Sequence, residues 1–185
     1  MPLSGKSTTD TGRPIMSKKN AGFAVAAVLG AALTTVSLST GAASAMPSEG
    51  CDASQLTTTI VPGSPGAGQR YAEIQFTAKD GQYCQLKGSV PVTLDGAPGI
   101  TIEPEAGQPD QVVHLRPGTS AHQSLHWSAI EARGDQATPS GVTVHTPGTQ
   151  AQTVTLPWQF GELDASAEAH TLNVGTVQEG PADAA

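Results

Sequence analysis

The sequence is poor in aromatic side chains, in charge and in cysteine. Of its 185 residues 4% are aromatic and 14% charged, and there are two Cys. With nine basic residues against sixteen acidic and no basic cluster, a nucleic-acid surface is excluded, because displacing phosphate counterions needs grouped Lys and Arg. Heptads are absent, as is any long amphipathic stretch, which excludes a coiled coil. No Gly-x-Ser-x-Gly elbow occurs, so no serine nucleophile stands out by motif. What the chain does have is turn formers, with 21 Gly and 14 Pro. Its length supports one domain comfortably and two poorly.

The N-terminal part reads as an export signal. Residues 1–20 carry Lys6, Arg13, Lys18 and Lys19, residues 21–38 are almost wholly apolar, and Ala43-Ser44-Ala45 follows. A basic region, an apolar region and a small-x-small site in that order predict cleavage after Ala45. An uncleaved membrane anchor is the alternative, since about 18 residues approach the minimum for a span. The apolar run is rich in Ala, Thr and Gly rather than Leu, which favours processing. Met16 would itself open an ordinary signal peptide, so residues 1–15 read as an upstream extension. Gly5-Lys6-Ser7 lacks the preceding strand and Gly of a phosphate loop. Asp10-Thr11-Gly12 lacks the second carboxylate that aspartic-protease chemistry requires. Cys51 follows Glu49-Gly50, which is not the small apolar context of a lipid-attachment site.

Removing residues 1–45 leaves 140 residues, with five basic and fifteen acidic side chains and a formal charge of −10. That charge disfavours DNA and anionic lipid as partners, and stable membrane insertion of the mature chain is not expected. In an oxidising compartment the two cysteines, Cys51 and Cys84, predict one disulfide. A redox-active pair would need Cys-x-x-Cys spacing at a helix start.

From Gln55 onward the chain breaks into short alternating runs separated by Gly, Pro and Asp. In residues 70–79, Ala72, Ile74, Phe76 and Ala78 point one way while Tyr71, Glu73, Gln75 and Thr77 point the other. The same alternation recurs at Cys84 and Leu86, Val92 and Leu94, Ile100 and Ile102, Val113 and Leu115. It continues at Leu125 and Trp127, Val142 and Val144, Val154 and Leu156, Leu172 and Val174. Strict period-2 alternation with frequent turns predicts an all-β fold, an immunoglobulin-like sandwich of seven to nine antiparallel strands spanning residues 55–177. Residues 46–54 and 178–185 read as loose tails. The stretch Leu115-Arg116-Pro117-Gly118-Thr119-Ser120-Ala121 reads as a crossing between sheets, with Pro presetting φ and Gly accepting a positive one.

Three histidines, His114, His122 and His126, invite a metal reading. On a strand His122 and His126 stand roughly 13 Å apart, too far for one ion. His114 can approach His122 only if their strands pair directly. Glu103, Glu105 and Asp110 form an acidic loop with too few oxygens for a tight calcium cage. Trp127, Trp158 and Tyr83 offer a stacking surface, but inward aromatics of a small domain belong to the core first. The expected site residues are therefore the disulfide pair Cys51 and Cys84, with no catalytic, cofactor-binding or metal-ligating residue. The function read from this pattern is a non-enzymatic module that binds a protein or glycan, with an extracellular hydrolase as the alternative.

Several blocks stand in a distinctive order: Cys51 with Leu56, the approach to Phe76-Thr77, the Cys84-x-Leu86-x-Gly88 block, and Val113-x-Leu115-x-Pro117-Gly118 followed by Leu125-x-Trp127. Together they resemble a family of exported actinobacterial proteins known as domain of unknown function 4232. The chain departs from the family in carrying Ser89-Val90-Pro91 where Tyr-Pro-Gly is frequent, and in lacking a second Cys pair. The resemblance implies first-with-second cysteine pairing and a secreted or envelope location. It implies no activity.

Overall fold

A computed structural model describes residues 49–150 and 152–183. The export signal and the Ala45 cleavage site lie outside these residues. The described chain contains no α-helix, only two 3-10 turns, at Ala53–Gln55 and Arg133–Asp135. No helix among the described residues is long and apolar enough to cross a membrane.

The strands are β1 (Leu56–Pro62), β2 (Gln69–Ala78), β3 (Cys84–Lys87), β4 (Val92–Asp95), β5 (Thr101–Pro104), β6 (Val112–Leu115) and β7 (Ser120–Ser128). After them come β8 (Gln136–Ala137), β9 (Gly141–His145), β10 (Thr153–Pro157), β11 (Leu163–Asp164), β12 (Thr171–Val174) and β13 (Gln178–Glu179). The largest sheet runs β1-β2-β7-β12-β5, with β13 also paired to β7. A second sheet runs β10-β9-β4, and two-stranded ribbons pair β3 with β6 and β8 with β11.

Alternation explains the long strands. On β2, Ala72, Ile74, Phe76 and Ala78 are buried, and on β7 so are Ala121, Leu125 and Trp127. Both rows join Leu86, Val113, Val142, Val144, Leu172 and Val174 in one apolar cluster that spans all the major pairings. Leu94, Ile100, Ile102 and Val154, also expected inside, are only partly buried and pack against this cluster from its margin. Among the described residues thirteen strands replace the expected seven to nine; three of them (β8, β11 and β13) are only two residues long and too short to show a period. The pairing is not wholly antiparallel either: β12 and β5 run parallel, with Leu172 opposite Ile102. Alternation reports which face a residue takes and carries no information about strand direction.

The flanks are not loose where the structure describes them. Cys51 is fully buried, and its N–H donates to Gln85 O at 3.1 Å. At the other end Val177 is fully buried and β13 pairs Gln178 with His122 and Glu179 with Ala121. Polar composition misled here, because β13 lies on a solvated face where polar side chains are compatible with pairing.

The crossing at residues 116–119 is as expected. Thr119 N–H donates to Arg116 O at 2.9 Å, Gly118 has φ 76°, and the chain passes from the β3–β6 ribbon into the large sheet. Gly88 has a comparable role. Its φ is 61°, and an added Cβ would stand 2.7 Å from the Pro109 carbonyl oxygen, so both conformation and space require glycine.

Candidate functional site

Outward residues of β2 and β7 make a continuous polar face. Tyr71 lies directly opposite His126 in the antiparallel register, and their rings stack at 4.6 Å with an interplanar angle of 4°. Cross-strand neighbours are the closest side chains on a sheet face, so the register itself produces this stack. His126 is held from both ring nitrogens: Nε2 is 2.6 Å from Gln69 Oε1 and Nδ1 is 3.5 Å from Glu105 Oε1. Tyr71 nevertheless remains 38% exposed. The result is an aromatic surface fixed in one orientation, which lowers the ordering cost of binding to it.

Farther along the same face, Glu73, Glu105, His122 and Ser124 border a small cavity of about 150 Å³. Glu73, Glu105 and His122 are engaged within the chain. Glu73 Oε2 accepts the Asp183 N–H at 3.0 Å, and His122 Nδ1 is 3.1 Å from Gly180 O. The C-terminal segment therefore lies across part of this face, and Ala182 N–H adds a bond to Gln75 Oε1 at 2.9 Å.

The three histidines do not converge. His114 sits on β6, which pairs with β3, while His122 and His126 sit on β7 beside β2. Of the acidic loop, Asp110 pairs with Lys87 at 3.0 Å, Glu105 faces His126, and Glu103 lies exposed on β5. No group of three His, Cys, Asp or Glu side chains among the described residues is arranged to hold a metal ion. Cys51 and Cys84 are joined in a disulfide with a Cα–Cα distance of 4.9 Å, and both are buried.

Trp127 and Trp158 are buried at 1% and 7% exposure, whereas Tyr83 is 49% exposed, so only the two Trp belong to the core. They are tilted against each other at 55°, and Phe160 packs edge-on to both. Each indole N–H is bonded to the loop after β10: Trp127 Nε1 to Glu162 O at 3.2 Å, Trp158 Nε1 to Gly161 O at 2.8 Å. Beside this cluster Pro62, Gly63, Pro65, Arg70, Tyr71, Trp127, Gln159 and Phe160 line a groove of about 280 Å³.

A family model of a domain of unknown function, DUF4232, matches residues 51–178. The chain belongs to this family. The DUF4232 match begins at the first disulfide cysteine and ends on the first residue of β13, so it includes the disulfide and the Gln178–His122 pair. No curated protein and no solved structure matches the chain. The Gly of the Cys84-x-Leu86-x-Gly88 block is explained by the backbone constraint described above.

Three buried polar residues, Gln123, Thr146 and Asp164, escaped the sequence reading, and two of them hold backbone in place. Gln123 is fully buried on β7; its Oε1 accepts the Val90 N–H at 2.6 Å and its Nε2 donates to Val90 O at 2.9 Å. The parity of Leu125 and Trp127 already placed position 123 inward, and only its polarity hid it. Asp164, 2% exposed, accepts N–H bonds from Ile130 and Glu131 at 3.0 Å and a side-chain bond from Gln136 at 3.2 Å. Burial alone would raise its carboxyl, but these bonds, with one from Ser128, outweigh burial and hold it below the usual carboxylate range.

Proposed function

We propose that the chain is exported, cleaved after Ala45, and acts outside the cell or at the envelope as a non-enzymatic binding module of immunoglobulin-like architecture. Its partner is a protein or glycan met by the outer face of the large sheet and the adjoining loops. The observation that carries this reading is the exposed Tyr71 ring fixed by His126, Gln69 and Glu105. A rigid exposed aromatic on a polar sheet face is what a recognition surface needs. The carboxylates and histidine near it are bonded to neighbouring chain rather than left open to a substrate, which favours binding over hydrolysis.

The test combines processing and retention. Full-length protein expressed in an exporting host should appear in the medium or envelope fraction with Met46 as its first residue by intact-mass measurement. The purified mature protein should sediment with isolated cell envelopes, and Tyr71→Ser should lower the retained fraction severalfold. Uncleaved protein remaining in the cytoplasm, or equal retention of both forms, would overturn the proposal.

A further inference from the structure

The aromatic residues are unevenly spent. The chain has only three Phe, two Trp and two Tyr, yet Tyr71, Trp127 and Phe160 line one groove and Trp158 packs behind it. At its mouth stand Arg70 and Gln159, both exposed. Among the described residues no carboxylate forms an ion pair with Arg70, whereas Lys87 is matched by Asp110 and Lys79 donates to Ser54 O.

We propose that this groove binds one carboxylate-bearing pyranose, a uronic acid or similar acidic sugar, with Arg70 holding the carboxylate. The inference rests on the binding-module reading and names the ligand class. A sugar ring has an apolar C–H face and a polar rim, which match the Phe160 ring and the Gln159 amide. Arg is suited to the acid because its planar fork meets a carboxylate with two parallel bonds. The volume, about 280 Å³, falls just below the roughly 300–1,000 Å³ typical of drug-sized ligand sites, which fits a single ring.

A peptide strand fits less well. Pro62 and Pro65 supply no N–H, and those of Gly63 and Gly66 already donate to Tyr71 O and Gln69 O. Little backbone on that wall is left to extend a ladder. The acidic surface does not prevent anion binding, because charges beyond roughly 8 Å are screened at physiological salt while a contacting guanidinium is not.

The experiment is an amide NMR titration of the mature protein with methyl β-D-glucopyranosiduronic acid, methyl β-D-glucopyranoside and N-acetylphenylalanine. The uronide should shift Arg70, Tyr71, Gln159 and Phe160 with millimolar affinity, and the neutral glycoside should bind at least fivefold more weakly. Arg70→Gln should abolish that difference with an otherwise unchanged spectrum, and Gln159→Ala should weaken both sugars. Equal affinity for the two glycosides, tighter binding of N-acetylphenylalanine, or no shift at these four residues would each overturn the assignment. Envelope retention that needs Tyr71 but ignores Arg70→Gln would discard this ligand and keep the module. Uronide binding without envelope retention would keep the site and discard the envelope partner.

Discussion

Replacing Gln123 with Leu keeps the shape of the core but leaves the N–H and C=O of Val90 buried without partners. The expected cost is about 1–3 kcal/mol, read from chemical denaturation, and the far-UV spectrum should stay that of a β protein. Asp164 works by the same logic with charge added. Because its folded value lies below that of the unfolded chain, its contribution is complete above the unfolded carboxyl range, near pH 4, and disappears as pH falls through the depressed folded value. Asp164→Asn should therefore lower stability at pH 7 by about 1–3 kcal/mol and flatten the part of the acid limb due to this residue. Thermal melts between pH 2 and pH 7 measure both effects, and an unaltered acid limb in the variant would contradict the assignment.

The element that most depends on covalent support is the segment leading into β1. The disulfide joins Cys51 to Cys84 at the start of β3, across a sequence separation of 33 residues. In the chain-entropy account a loop of that size contributes roughly 3–4 kcal/mol. The Cys51→Ala, Cys84→Ala double variant should lose about that much in non-reducing denaturation, with the wild type moving toward it only when reductant is present during unfolding. A loss below about 1 kcal/mol would show that the Gly50–Gln85 bridge and neighbouring bonds hold the segment unaided. At this scale the sequence was most informative about β2, whose apolar letters alternate from Ala72 to Ala78, and less so about β7, where Gln123 interrupts the alternation. It was silent on the parallel β5–β12 pair and on β13, because direction and two-residue pairings leave no periodic trace.

For the molecule as a whole, the all-β class, the disulfide and most of the core were legible because burial writes itself into hydrophobic spacing. The candidate site was only half legible. Tyr71 and His126 could be placed outward from parity, but their stacking depends on a register that alternation does not specify. The groove at Arg70 unites residues from β2, the β1–β2 turn and the loop after β10, a gathering that no local pattern encodes. The position of β12 also imposes an order in time. A chain emerging N-terminus first can pair β1 with β2 at once, but β5 must wait about 70 residues for β12, since Ile102 meets Leu172. Only when β12 and β13 have emerged can β7 receive its neighbours on that side. The large sheet is thus completed by residues 171–179, so a polypeptide threaded through a narrow pore stays unfinished, and therefore threadable, until those residues arrive.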